Sequence, residues 1–199
     1  MQGFIFAGGM SSRMGVPKAG LMLGGRSFLE LAAAALSTVA GDDISVVGLP
    51  VGVVCGLPIA EDALIPSSGS KSGGALVGLY TALSVATSDW IAIIGCDTPF
   101  ASCELFDELN AVDRTGFDAI VPTDQDARLQ PLCALYRRAT CLQLSGNTLA
   151  NVDRSMNAFL KPLRTHIVSF NVLIHIAGAD RLFFNVNSPD DFRQAREML

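Results

Sequence analysis

Residues able to do chemistry are densest near the start of the chain. Gly8-Gly9-Met10-Ser11-Ser12-Arg13-Met14-Gly15-Val16-Pro17-Lys18 brings together adjacent glycines, serine hydroxyls and two cations. Glycines open φ/ψ values closed to other residues and remove the side chains that would keep a ligand off the backbone. Exposed N–H groups beside cations make a place to hold phosphates. Two common phosphate loops are excluded by spacing. Gly9 and Gly15 are too far apart for Gly-x-x-x-x-Gly-Lys-Ser/Thr, and Val16 follows the second glycine. A dinucleotide loop needs Gly-x-Gly-x-x-Gly, whereas these glycines are adjacent. A solvated Gly-Ser turn shares the composition; the joint presence of Ser11, Arg13, Met14, Gly15 and Lys18 favours a phosphate loop.

Two further stretches carry polar groups that packing alone does not require. Gly95-Cys96-Asp97-Thr98-Pro99-Phe100 follows an apolar run, so Asp97 stands where a carboxylate can hold Mg²⁺ against phosphate oxygens. The same residues also fit an Asp-x-Pro turn. In Asn185-Val186-Asn187-Ser188-Pro189-Asp190-Asp191, a helix cap accounts for Ser188, Pro189 and Asp191, but not for Asn185 and Asn187. His166 and His175 have no ligand partner near them in sequence and read as structural. The five cysteines form no Cys-x-x-Cys pair and are odd in number, which suits buried thiols in a reducing cytoplasm.

The elements that must position these groups follow from apolar patterning. Phe4-Ile5-Phe6-Ala7 is a continuous apolar run and reads as a strand buried on both faces. Ser27 and Glu30 form a capping box for a helix that runs to Gly41. Residues 44–48 are a second strand, completing a βαβ unit. Residues 51–59 form a loop and a short strand ending at Glu61-Asp62. Residues 66–74, rich in Ser and Gly, read as a mobile active-site loop leading into a helix over 75–83. Trp90–Ile94 is a buried strand, 102–113 a helix, and 118–122 a strand. A polar loop with Asp124, Gln125, Asp126 and Arg128 is followed by a strand over 130–136. That loop is too short for a crossover helix, so the strand is antiparallel. Residues 137–161 are helical with interruptions and contain Arg154; strands are expected over 166–170 and 182–186. Together these predict an α/β fold, a Rossmann-like three-layer α/β/α arrangement with a mostly parallel central sheet and one antiparallel excursion.

Half of the 199 residues are apolar, and mean hydropathy is +0.41. No run approaches 18 apolar residues, so no membrane span is expected, and parallel strands account for the apolar excess. The start has no basic segment before its first strand, so no signal peptide is expected. A net charge of −5 argues against a nucleic-acid surface.

Taken in order, these blocks resemble the molybdenum cofactor guanylyltransferases (the MobA type), within the wider nucleotide-diphospho-sugar transferase fold. The resemblance runs through Ala7 to Lys18, Glu61-Asp62, Gly74 to Gly78, Cys96 to Phe100, Gln130-Pro131 to Tyr136, and Asn185 to Asp191. It implies transfer of GMP from GTP to the terminal phosphate of molybdopterin, with release of pyrophosphate. It further implies one domain over 1–199, with a nucleotide-binding half over about 1–100 and an acceptor-binding half over about 101–199. Ala7, Gly8, Gly9, Ser11, Arg13, Lys18, Asp62, Gly78 and Asp97 would bind nucleotide. Arg13, Lys18 and Asp97 would be catalytic, with Asp97 ligating Mg²⁺ (or Mn²⁺). Gln130, Arg154, Asn185 and Asn187 would face the acceptor. The expected setting is cytoplasmic, as a monomer or weak oligomer, with partner proteins to hand the cofactor on. Ala75 departs from the family's usual Pro, and residues 151–159 are less basic than usual.

A phosphate acceptor is already charged at neutral pH and needs no general base. What must be overcome is repulsion between phosphates and charge growing on pyrophosphate; metal, cations and N–H groups address both. A cytidylyltransferase for the same cofactor stays open, with Gly8 the residue favouring guanine by resemblance. A transferase for another phosphorylated acceptor also stays open, as does a nucleotide-binding protein without turnover, although Lys18 and Asp97 together speak against the last.

Overall fold

The computed structural model describes residues 1–8, 15–60 and 74–199. Along the chain run β1 (Gln2–Phe6), β2 (Met22–Leu23), β3 (Arg26–Ser27), α1 (Phe28–Ala40), β4 (Ile44–Val47), β5 (Ile59–Ala60), α2 (Ala75–Val85), β6 (Trp90–Gly95), α3 (Cys103–Ala111), β7 (Ala119–Pro122), β8 (Cys133–Arg137), α4 (Arg138–Leu149), α5 (Met156–Leu160), β9 (Thr165–Val168), α6 (Phe170–Leu173) and α7 (Pro189–Glu197). Seven strands form one sheet in the order β5-β4-β1-β6-β8-β7-β9. Only β8 runs against its neighbours, pairing antiparallel with both β6 and β7. The α/β sheet is therefore mostly parallel with one antiparallel excursion, as expected.

Alternation along the strands divides the core into two layers. Ile5, Val46, Ala92 and Ile94 face α1 and α3, where they meet Leu29, Leu36, Leu105 and Phe106. Phe4, Phe6, Val47, Ile91 and Ile93 face the opposite way, toward Leu76, Leu79 and Leu83 of α2, with α4 and α5 alongside. Side chains of successive residues leave a strand on opposite faces, so strands apolar at every position must be covered twice. Helix α1 begins at the expected capping box and stops at Gly41, whose φ of 56° suits glycine.

Several boundaries differ from expectation. Residues 182–186 are not a strand: Leu182 closes a 3₁₀ turn over Ala179–Arg181, and the chain continues without ladder pairing. Its apolar residues divide between two clusters: Leu182 joins the core on the α1 face, while half-buried Phe184, edge-on to Phe100, packs against the small cluster of Val186, Leu23 and Phe28. Strand β8 starts at Cys133 rather than at Gln130, and Ser169 caps α6 instead of extending β9. Arg154 lies in the break between α4 and α5. Cys96, Cys133 and Cys141 are buried, but Cys55 and Cys103 are half-exposed; all five are free. The β2–β3 hairpin was not expected, although Gly24-Gly25 between Leu23 and Arg26 signals one, and both glycines have positive φ. Among the described residues no helix is long and apolar enough to cross a membrane.

Candidate active site

The topology selects one place on the sheet. From β1 the chain winds outward through β4 to β5, then returns to β6 on the other side of β1. Ligands of open α/β sheets bind beyond the carboxyl ends of strands at such a reversal. The segment after β1 supplies Lys18, which opens a 3₁₀ turn anchored by buried Ala19. The segment after β6 supplies Asp97. Lys18 Nζ lies 3.4 Å from Asp97 Oδ2. Its shorter bond, 2.6 Å, goes to Asn187 Oδ1, 169 residues away.

Each side chain is set by its backbone. Gly95 is the last residue of β6, and a Cβ there would stand 2.7 Å from Asp97 Oδ1, so the carboxylate occupies space that only glycine leaves free. The Asp97 carbonyl accepts from Val186 N at 2.8 Å, which fastens the C-terminal segment to the end of β6. Val186 is fully buried while Asn185 and Asn187 are exposed, so both asparagines face outward around one apolar anchor. The Arg181 guanidinium lies 5.0 Å over the Phe100 ring and adds to the same joint. Helix α7 starts with the expected box: Ser188 Oγ accepts from Asp191 N, and Asp191 Oδ2 accepts from both Asn187 N and Ser188 N at 2.8 Å. Those backbone bonds, to Asn187 first, hold the Asp191 carboxyl below the usual range.

The other expected residues fall out as follows. Ala7 is buried and its N–H continues the β1–β4 ladder to Val47 O at 3.0 Å. Gly8 passes the backbone of Gly48 so closely that a Cβ would lie 3.1 Å from Gly48 O. Packing therefore accounts for Gly8 without reference to a base. At Gly78 a Cβ would meet the Phe6 ring at 3.4 Å, an ordinary contact, so packing alone does not require glycine there. Gly9, Ser11, Arg13, Asp62 and most of the 66–74 loop lie outside the described residues. Gln130 Nε2 donates to Asp124 Oδ2 at 2.9 Å. Asn185 Nδ2 donates to Phe183 O, and Arg154 Nε to Asn151 O within its own turn. The structure thus unites Lys18, Asp97 and Asn187, and leaves Arg154 without a bond to that group.

Cys96 adjoins Asp97, but burial, reinforced by that carboxylate, pushes its thiol up to about 12. It remains protonated and is no nucleophile at neutral pH. Both histidines are accounted for structurally: His175 bridges Val172 O and Glu108, and the His166 ring stacks edge-on to Phe117. Sequence reasoning missed Gly48, Asp124 and Asp191 as supports of the site. Gly48, expected as the last residue of the second strand, lies just past β4 with a φ of 69°; a glycine ending an apolar run is the signal that could have marked it.

Fold and site define an α/β protein with an ammonium, a carboxylate and an amide gathered over the ends of β1 and β6. Residues 3–167 match the family model of the MobA-like NTP transferase domain. The chain is 32% identical to the probable molybdenum cofactor guanylyltransferase of Geobacillus sp. (strain WCH70), over 96% of each chain. It is also 32% identical to the molybdenum cofactor guanylyltransferase of Rhizobium meliloti (strain 1021), covering 98% of this chain and 90% of that one. A crystal structure of molybdopterin-guanine dinucleotide biosynthesis protein A from Archaeoglobus fulgidus superposes with a TM-score of 0.81, covering 100% of this chain and 98% of that one at 21% identity. The chain belongs to the MobA-like NTP transferase domain family and is a nucleotidyltransferase.

Proposed function

We propose that the protein transfers GMP from GTP to the terminal phosphate of molybdopterin and releases pyrophosphate. The observation that carries this reading is the meeting of Lys18 with Asp97 and Asn187 at the ends of β1 and β6. A single ammonium there reaches both the strand-end carboxylate and the C-terminal asparagine. It can therefore neutralise phosphate charge where two anionic substrates approach each other.

The division of labour follows the sheet. Residues 1–100 would serve the nucleotide, with Ala7, Gly8, Gly9, Ser11, Arg13, Lys18, Asp62 and Gly78 on that side. Residues 101–199 would serve the acceptor through Gln130, Arg154, Asn185 and Asn187. The acceptor phosphate attacks as an anion, so no side chain has to remove a proton. Lys18 and Arg13 lower the repulsion between acceptor and triphosphate and stabilise charge on the departing pyrophosphate.

Among the described residues no three His, Cys, Asp or Glu side chains cluster. Asp97 alone suits Mg²⁺, which keeps waters and is bound through one or two carboxylates with substrate phosphates. Asp97 would hold Mg²⁺, or Mn²⁺ in its place. The ion, when bound, offsets triphosphate charge. Five free thiols support a reducing, cytoplasmic setting.

Guanine choice rests on the names of the relatives, since Gly8 has a packing role of its own. The test is turnover with molybdopterin, Mg²⁺ and each NTP in turn. Pyrophosphate release with GTP is expected. Release with CTP alone would reassign the protein to cytidylyl transfer, and no release with any NTP would make it a binding protein.

A further inference from the structure

The loop between β7 and β8 holds an amide in one orientation, at the sheet edge that carries Asp97. Gln130 N donates to Pro122 O at the end of β7, and Gly95 N donates to Leu132 O at 2.8 Å. Gln130 therefore stands two residues from the point where the chain bonds the last residue of β6. Its side chain is half-buried. Nε2 has two neighbours, Asp124 Oδ2 at 2.9 Å and Arg128 O at 3.4 Å. Both are obligate acceptors, a carboxylate and a carbonyl, so they determine which end of the amide turns inward. Its NH₂ is committed to the loop, and the group left to a ligand is Oε1.

Asp124 is itself held from the other side. Its Oδ1 accepts from Asp126 N and Arg128 N, each at 2.9 Å. Its backbone N–H reaches Arg128 O at 3.0 Å, and its carbonyl accepts from Ala127 N. Ala127 has a φ of 59°, the one positive value among non-glycine described residues, so the loop closes tightly around the carboxylate. One oxygen of Asp124 organises the loop while the other orients Gln130.

We propose that Asp124 is a positioning residue that makes Gln130 present a carbonyl oxygen to the acceptor substrate, and that this oxygen takes an N–H donor. The partner is then a nitrogen heterocycle edge bearing ring N–H or amino groups, as a reduced pterin does, and not a phosphate. A phosphate at neutral pH offers acceptors only, and an inward carboxylate with an outward carbonyl repels it. The inference rests on the reading that Gln130 lies in the acceptor half, and it names which part of the acceptor Gln130 meets.

Asp124→Asn is the informative variant. It retains Oδ1 for the loop N–H groups but replaces Oδ2 with an NH₂ that cannot accept from Nε2. Gln130 then flips, bonds through Oε1 and presents NH₂ outward. The expected result is about tenfold weaker molybdopterin binding, read by pterin fluorescence without nucleotide and as KM in turnover, with the KM for GTP unchanged; such a loss matches one well-placed hydrogen bond. Adding Gln130→Glu to that variant restores the outward oxygen but not the longer contact to Arg128 O, because one oxygen of the introduced carboxylate accepts from the introduced amide and the other faces out. Binding should return to within about threefold of the parent.

Unchanged molybdopterin affinity in Asp124→Asn, or a double variant no better than the single, overturns the inference. Gln130→Ala with unaltered molybdopterin binding also overturns it, even with transfer intact. Loss of transfer with every NTP would sink the proposed function instead, and the fluorescence shift would still report on Gln130.

Discussion

The carboxyl edge of the sheet is built in two ways. On the side of β5, β4, β1 and β6 every strand is parallel, and the groups proposed to meet the nucleotide there include Lys18 and Asp97. The groups proposed to meet the acceptor are amides: Gln130, from the loop before β8, and Asn185 and Asn187, from the segment before α7 that is bonded to the end of β6. Two of these are supported by a carboxylate that also caps backbone. Asp124 holds the Gln130 side chain, and Asp191 holds the Asn187 backbone. The difference matches what each half would bind. Charge attraction depends weakly on direction, so a triphosphate can be held by N–H groups and a cation. Hydrogen bonds weaken steeply off axis, so a heterocycle needs amides with fixed orientation.

Removing the charge should produce the largest effect. Lys18→Ala is expected to lower turnover by about two orders of magnitude or more, the size of losing one charge-stabilising donor. Steady-state kinetics with saturating GTP would measure it, and near-normal turnover would remove Lys18 from the triphosphate.

The amide side also differs in what holds it together. Asp118 is buried at the head of β7 and accepts from Arg164 Nε at 2.9 Å and Nη2 at 3.0 Å, tying β7 to the approach of β9. Those side-chain bonds hold the Asp118 carboxyl below the usual range and raise the guanidinium above its own. Asp118→Asn should cost about 2 kcal/mol at pH 7, in line with hydrogen bonds to charged groups. A depressed carboxyl stabilises fully above its unfolded value of about 3.9 and loses that contribution as pH falls through the lower folded value. The gap between parent and variant in urea unfolding should therefore close at acid pH. A gap independent of pH would mean that packing, not charge, carries the site.

Where the two sides join, Asn187→Ala removes the 2.6 Å partner of Lys18 but leaves Asp97. About a tenfold loss of turnover is expected, the scale of one hydrogen bond to a charged group. If Asn187 acts through Lys18, adding the change to Lys18→Ala should cause little further loss. Full additivity would assign Asn187 to the acceptor independently of Lys18.

Legibility in the sequence follows the same division. β1, α1 and β4 could be read because an unbroken apolar run, a capping box and Gly41 are local signals. β8 could be assigned as antiparallel from loop length alone. Residues 182–186 could not be read correctly, because a short apolar run looks the same whether its backbone enters a ladder or its side chains only fill gaps between helices, as Leu182 does in one cluster and Phe184 and Val186 do in another. Lys18, Asp97 and Asn187 stood out by type, yet the bond between Lys18 and Asn187 spans 169 positions and leaves no trace in spacing. Asp124 and Asp191 were visible only as turn and cap residues; Asp124 serves the loop backbone with one oxygen and the Gln130 amide with the other, and Asp191 holds the backbone of Asn187 and Ser188.

Gly8 is the sharpest point of disagreement between residue type and geometry. By resemblance it speaks for guanine, and by position it passes Gly48, whose own Cβ would stand 3.1 Å from Gly8 Cα. The two backbones meet just beyond the Ala7–Val47 hydrogen bond, the last rung between β1 and β4. A methyl at Gly8 must push Gly48 aside by a few tenths of an ångström, and overpacking of this kind costs about 1 kcal/mol. Gly8→Ala is therefore expected to lower stability by about that amount and leave the ratio of GTP to CTP turnover within about twofold of the parent, well under the 1.4 kcal/mol that separates a tenfold preference. Parallel thermal unfolding and competition assays would read both. A shift toward CTP with unaltered stability would return base choice to Gly8, and recognition by the glycine side would then depend on direction as much as the amide side does.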